Sequence, residues 1–210
     1  MQAFLTSPDP SLSELTLDRP LKLGIMASGS GSNFEAVAKA IADGQLNAEI
    51  KVLIYNNPNA KVRSRGEKYN ISTVLIDHRQ YSQREDLDRI IVNTLQEYGV
   101  EWVVMAGWMR VVTQVLLDAY RDRVINIHPS LLPSFKGIRA IEQALQTGVT
   151  ITGCTVHLVN LEVDSGKIIM QAAVPILSDD TPETLHARIQ IQEHHILPKA
   201  IALAAANSDL

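Results

Sequence analysis

Leu21-Lys22-Leu23-Gly24-Ile25-Met26-Ala27-Ser28-Gly29-Ser30-Gly31-Ser32-Asn33 is an apolar run that stops in a turn of glycine and serine. A strand covered on both faces reads as nearly continuous apolar sequence, and Leu21 to Ala27 has that character. Residues 34–42 then read as a helix, so the unit is strand, tight turn, helix. The alternation repeats. Strands are expected at 50–55, 72–76, 102–107 and 124–128, with helices at 60–69, 84–98 and 113–120 between them. Such spacing implies right-handed crossovers and a parallel sheet. After residue 137 the pattern changes. A helix over 138–147 precedes strands at 152–159 and 167–174 with a short link, which suits a hairpin. A long amphipathic helix is expected over 183–206. The fold class is therefore α/β: a doubly wound, mostly parallel, Rossmann-like sheet with a C-terminal antiparallel hairpin and a long final helix.

Composition narrows the function classes. The chain has 210 residues, 46% hydrophobic and 20% charged, enough to bury one sizeable core. We expect a single domain over 21–210. Residues 1–20, with three prolines among polar residues, read as an extended or poorly ordered lead-in. The lone Cys154 excludes an internal disulfide and a cysteine-rich metal site. A net charge of −4 disfavours a nucleic-acid partner. No apolar run approaches the ~20 residues that cross a bilayer. The lead-in lacks the parts of a secretory signal, so the expected location is cytoplasmic, without membrane association.

Three motifs stand where chemistry is expected. Gly29, Gly31, Ser32 and Asn33 lie between a strand and a helix, where backbone N–H groups and the helix N-terminus favour an anion such as phosphate. The structural alternative is a plain turn with Ser32 or Asn33 as a helix cap. Asn126 and His128 share one face of a strand and sit at its carboxyl end, the edge where open α/β sheets place ligands. An amide N–H can meet a developing oxyanion, and an imidazole moves protons near neutral pH. The alternative is a buried polar pair satisfied by backbone. Asp164, in Asp164-Ser165-Gly166, is by default a turn residue, of interest only if the hairpin returns it to His128. His157 reads as a satisfied core residue and Cys154 as a small buried apolar one. His194 and His195 stand beside Glu193 without a third ligand, so no metal is expected.

Taken together, these stretches resemble the glycinamide ribonucleotide formyltransferases of the folate-dependent formyltransferase superfamily. The resemblance runs over about residues 21–205. It is carried by Gly29-Ser30-Gly31-Ser32-Asn33, Ala106-Gly107-Trp108-Met109-Arg110, Asn126-Ile127-His128-Pro129-Ser130-Leu131-Leu132-Pro133, Asp164-Ser165-Gly166 and Gln190-Ile191-Gln192-Glu193-His194. The Asn-x-His pair with a downstream Asp is common to the superfamily, and the Gly-Ser-Asn loop points to this member.

The resemblance implies roles residue by residue. Gly31, Ser32 and Asn33 would hold the ribonucleotide phosphate, and Gln190 and Glu193 would orient its ribose and amine end. Met109, Arg110, Val111 and Val112 would line the folate pocket, as would Asn160, Leu161, Glu162, Val163 and Asp164. Arg84 would face the folate's acidic tail. Asn126, His128 and Asp164 would be the catalytic group, with Asn126 and Asp164 also touching the folate. The implied reaction moves the formyl group of 10-formyltetrahydrofolate to the amine of glycinamide ribonucleotide in purine biosynthesis, without a metal. The implied partners are these two small molecules, for a monomer or homodimer. Two positions depart from the family pattern near the site: Lys167 follows Gly166 where proline is common, and Lys136 precedes Gly137 where proline is common. Both bear on loop rigidity. Related enzymes add an N-terminal regulatory domain or a C-terminal RNA-binding domain, and the chain length leads us to expect neither.

Overall fold

A computed structural model describes residues 5–10, 15 and 17–207. The chain divides into two compact units, Leu17–Asn126 and a second made of Met1–Thr16 with Ile127–Leu210.

In the first unit, parallel strands β2 (Leu21–Ala27), β3 (Ala48–Tyr55), β4 (Thr73–Leu75), β5 (Trp102–Met105) and the start of β6 (Val124–His128) alternate with helices α1 (Ser32–Ala42), α2 (Val62–Lys68), α3 (Arg84–Glu97) and α4 (Gln114–Ala119). The strand order is β6-β5-β2-β3-β4. Register shows the double winding. Gly24 is level with Val52 and Ile25 with Leu53, and level residues of parallel strands share a face. A side chain at Gly24 would run into Leu95 of α3 and into Val100, so only glycine lets that helix approach. A side chain at Gly66 of α2 would instead meet Leu53 and Thr73. Hence α3 and α2 cover opposite faces, and the strands between them are apolar throughout. Leu23, Ile25, Met26, Val52, Leu53, Ile54, Val103 and Val104 are fully buried.

The second unit carries β1 (Leu5–Ser7), α5 (Ala140–Thr147), β7 (Ile151–Leu158), β8 (Ile168–Pro175) and α6 (Pro182–Ala206). Strands β7 and β8 form the expected antiparallel hairpin, and β1 pairs antiparallel with the outer edge of β8. The last two residues of β6, Ile127 and His128, belong to this unit. Among the described residues no helix is long and apolar enough to cross a membrane.

Several element ends differ from the sequence reading, each for a local reason. Helix α5 starts at Ala140 because Arg139 adopts a left-handed conformation (φ 59°), which a right-handed helix cannot include. Thr113 lies just outside α4 as its cap, accepting the Val115 N–H at 3.3 Å. The expected amphipathic stripe of α6 holds only in its first half. Further on, Ile196, Leu197, Pro198, Ala200, Ile201 and Ala202 are all buried, and half-buried Lys199 is the one charged residue among them. The lead-in over 1–20 lies partly outside the described residues. Within it, Leu5–Ser7 is a strand, Asp9 pairs with Lys199 at 2.6 Å, and Arg19 donates to both carboxylate oxygens of Glu101.

Helix α6 is clamped at its start. Arg188 reaches both oxygens of Asp180 (2.6 and 2.9 Å) and also donates to the Pro175 carbonyl. Asp180 accepts from the Leu177 N–H and the Thr184 hydroxyl as well. The Arg188 guanidinium holds the Asp180 carboxyl far below the usual carboxylate range, against the opposing effect of burial. The folded-state value is depressed, so this stabilisation is present above the ordinary carboxylate range and lost only in strong acid. We expect Arg188→Ala to cost on the order of 1–2 kcal/mol, since charge-assisted bonds to a partly exposed group are worth about that much. Urea melts at pH 7 and pH 2 check it, and an unchanged midpoint at pH 7 would exclude the clamp.

Candidate active site

In the first unit the glycine loop follows β2. Gly31 caps α1 in the left-handed region (φ 77°), and its carbonyl accepts the Glu35 N–H at 3.0 Å. The cap makes no side-chain hydrogen bond, so the opening turn of α1 presents its backbone donors around a residue without a side chain. The Val62 N–H donates to the Gly29 carbonyl at 3.1 Å, fastening α2 against the loop. A side chain at Gly31 would strike Val62, including its backbone. The positive φ alone costs an L-residue roughly 1–2 kcal/mol. We therefore expect Gly31→Val to lower the melting temperature. A thermal melt checks this, and an unchanged melting temperature would contradict it.

The same loop meets the segment that the resemblance assigns to the folate. Ser28 N–H donates to the Gly107 carbonyl (3.0 Å), and its hydroxyl accepts the Met109 N–H (2.9 Å). Met109 and Val111 are exposed, Arg110 is half-buried, and Val112 is buried. Trp108 Nε1 and Arg110 Nε are buried without a hydrogen-bond partner. The far end of the segment is anchored by buried Asp88 of α3. Its Oδ2 accepts from the Thr113 N–H (2.6 Å) and the Thr113 hydroxyl (2.8 Å). Burial pushes the Asp88 carboxyl up, and the two Thr113 donors only partly offset it. Arg84 opens α3 and is exposed. Asn126 is half-buried on β6.

In the second unit, His128 ends β6 and is buried. Its two ring nitrogens face two acceptors. Nδ1 lies 3.2 Å from Asp164 Oδ2, and Nε2 lies 2.8 Å from the Phe135 carbonyl. A ring with a proton on each nitrogen satisfies both. The hairpin thus returns Asp164 directly to His128, although strand spacing alone does not require it. Asp164 sits in the left-handed region (φ 50°) in a turn braced by Ser165, whose hydroxyl lies 2.8 Å from Asn160 Oδ1 and from the Glu162 carbonyl. Asp164 Oδ2 also accepts the Gly137 N–H at 2.8 Å, and Oδ1 lies 3.5 Å from His157 Nε2. Burial raises the Asp164 carboxyl, but His157, the Gly137 N–H and the charge of His128 outweigh it and hold the group below the usual carboxylate value.

His157 is the contact that the sequence reading passed over. It is buried, as a core residue would be, and its Nδ1 lies 2.8 Å from the Leu158 carbonyl. Its other nitrogen faces Asp164. A signal was present: Thr155 and His157 are polar residues two apart on one face of a largely apolar strand. The opposite face of β7 carries Cys154. Burial pushes its thiol up, and the nearby Glu193 carboxylate adds to this, so the group stays protonated. Glu193 and Gln190 stand three apart on α6, with Glu193 buried and Gln190 half-buried. Leu161 and Val163 are exposed, and Glu162 pairs with Lys136 at 3.0 Å. Lys136 thereby links the two loops at a position where proline was expected. Among the described residues, no group of three or more His, Cys, Asp or Glu side chains is disposed to hold a metal ion.

Known proteins resemble this chain over most of its length. Residues 21–201 match the formyl transferase family. A phosphoribosylglycinamide formyltransferase of Bacillus subtilis is 39% identical over 180 residues, covering 86% of this chain and 92% of that protein. The trifunctional purine biosynthetic protein adenosine-3 of Homo sapiens is 40% identical over 187 residues, which are 89% of this chain but 18% of that longer protein. The crystal structure of glycinamide ribonucleotide transformylase 1 from Symbiobacterium toebii superposes with a TM-score of 0.88 at 40% identity, covering 90% of each chain. That of phosphoribosylglycinamide formyltransferase from Bacillus halodurans gives 0.84 at 42%, covering 90% of this chain and 96% of that one. The match spans most of the chain and includes the loop after β2, the end of β6 and the turn at Asp164, and on that ground the chain belongs to the formyl transferase family.

Proposed function

We propose that the chain transfers the formyl group of 10-formyltetrahydrofolate to the amine of glycinamide ribonucleotide in purine biosynthesis. The observation that carries this reading is the His128 ring, held between Asp164 and the Phe135 carbonyl at the end of the strand that also bears Asn126. A pure binding module has no use for such a set. The relatives named as phosphoribosylglycinamide formyltransferases support the same reaction.

The residues suit the donor. In the first unit Met109 and Val111 expose apolar side chains, as Leu161 and Val163 do in the second, and apolar surface of that kind suits a flat heterocycle. The unpartnered Trp108 Nε1 and Arg110 Nε offer donors to its ring acceptors. When bound, the folate supplies an already activated formyl carbon, and the proposal includes no metal. Met109, Arg110, Val111 and Val112, with Asn160 to Asp164, would contact it, and Arg84 would meet its acidic tail. Gly31, Ser32 and Asn33 would take the ribonucleotide phosphate at the start of α1. Gln190 and Glu193 would orient the ribose and amine.

Asn126 donates its amide N–H to the formyl oxygen as negative charge develops there during attack by the amine. His128 moves a proton through a ring nitrogen, from the attacking amine towards the folate nitrogen that leaves as its bond to the formyl carbon breaks. Asp164 stays ionised and orients the ring through Nδ1. We further propose one formyltransferase domain over 21–210 with 1–20 as an extension, acting in the cytoplasm as a monomer or homodimer on small molecules rather than nucleic acid or membrane. The test is to mix the protein with 10-formyltetrahydrofolate, with and without glycinamide ribonucleotide, and follow loss of the formyl group. Transfer that depends on the amine is expected. Formate release without the amine, or no turnover, overturns the reading.

A further inference from the structure

Strand β8 is apolar except for one residue, Gln171. Met170, Ala172 and Val174 are buried on one face, and Gln171 lies half-buried on the other. An amide withdrawn from water in this way requires partners. Register places Gln171 level with Thr155 of β7 and with Ser7 of β1, so its backbone is paired from both sides. Its Nε2 donates to the Leu132 carbonyl (3.0 Å) and to the Thr155 hydroxyl (2.9 Å).

The fully buried Thr155 hydroxyl is saturated. It donates to the Ser130 carbonyl (2.7 Å) and accepts from the Leu132 N–H (3.0 Å) and from Gln171. Two side chains on adjacent strands thus hold three backbone groups of the segment that leaves β6. The hold continues outward. Ser130 Oγ donates to the Ser134 carbonyl (2.6 Å), and the Ser134 N–H to the Leu131 carbonyl (3.1 Å). Next comes Phe135, in the left-handed region (φ 57°), whose carbonyl accepts from His128 Nε2 at 2.8 Å. An L-residue keeps that conformation only where its surroundings fix it.

We infer that Gln171 is a positioning residue for His128, acting through Thr155 and the Ser130–Phe135 loop. The inference deepens the proposed function and rests on His128 taking part in formyl transfer. Gln171 touches neither ligand under that reading, so its loss should lower kcat and leave both KM values nearly unchanged. Without its two donors, the Leu132 carbonyl loses its anchor and the Thr155 hydroxyl gains freedom. Phe135 then leaves its conformation, and the His128 ring loses the acceptor at Nε2.

The experiment uses the full chain. Gln171→Met keeps much of the volume and removes both donors. We expect kcat to fall about tenfold, the scale of one or two neutral hydrogen bonds, with each KM within about twofold. In the ligand-free protein, the ¹⁵N and ¹H resonances of the His128 ring should move. A conservative pair tests the same node if the methionine variant folds poorly: Thr155→Ser should keep the rate and the His128 signals, and Thr155→Val should lose both. An unchanged kcat in Gln171→Met, unmoved His128 resonances, or equal behaviour of the two Thr155 variants overturns the inference. Failure of the wild type to transfer formyl groups would instead defeat the proposed function, while the ligand-free His128 signals would still report whether Gln171 positions the ring.

Discussion

Asp164→Asn is expected to lower turnover by at least two orders of magnitude while the protein stays folded and binds both ligands. The geometry makes this substitution unusually clean. In the variant, the amide oxygen can take the Oδ2 position and still accept from the Gly137 N–H and from His128 Nδ1. The amide nitrogen then faces His157 Nε2, which can accept once His157 keeps its single proton on Nδ1 against the Leu158 carbonyl. Every buried polar atom keeps a partner, so little stability is lost. What goes is the negative charge beside the ring. A rate loss on the scale of general acid–base catalysis, roughly 10²–10⁴, is the expected consequence. Single-turnover rates and a thermal melt measured on the same sample check it. A variant that loses stability but keeps its rate per folded molecule would return Asp164 to the rank of a turn residue.

The Asp164 shift also sets a sign for pH. The folded-state carboxyl lies below its ordinary value, so its contribution to stability is full above about pH 4 and is lost as pH falls through the lower folded-state value. The wild type should therefore lose more stability than Asp164→Asn as the pH falls below about 4, which thermal melts of both proteins across that range check.

Asn126→Ala carries the second large effect. Asn126 and His128 share a face of β6, and under the proposed mechanism the amide is the neutral donor to the formyl oxygen. Removing one preorganised donor of this kind typically costs 10²–10³ in turnover. We expect that loss in kcat with little change in melting temperature, because Asn126 is half-buried where the other four residues of β6 are buried. Asn126→Asp keeps the size but replaces the donor with an acceptor, and should be at least as damaging. Stopped-flow or quenched-flow measurement of formyl transfer checks both. A loss of tenfold or less in the alanine variant would make Asn126 a packing residue.

Local rules carry the strand and helix sequence of this chain a long way. The run from Leu21 to Asn33 could be read because a covered strand is apolar at every position and a loop that approaches an anion or a neighbouring helix closely takes glycine. The Asn126–His128 pair could be read for a similar reason: alternation on one strand is a property of three consecutive residues. The ends of elements were less legible. Nothing in the residue type marks Arg139 or Phe135 as left-handed, since those conformations are imposed by what the neighbouring backbone bonds to. Strand β1 was read as lead-in because Leu5-Thr6-Ser7 has little strand character of its own, and its order comes from the free edge of β8.

The proposed catalytic constellation divides along the same line. Sequence alone determined the fold class, the placing of Asn126 and His128 on one face of a parallel strand, and the glycine loop, because each depends on residues close together in the chain. The resemblance had already named Asp164, but its contacts, like those of His157 and Gln171, were decided only in three dimensions. Their significance depends on the β7–β8 register, which sets Thr155 beside Gln171, and on a left-handed turn that aims Asp164 back at His128. Pairing register and turn direction are fixed by the burial of apolar faces from distant segments, a cooperative free energy that no single residue type announces.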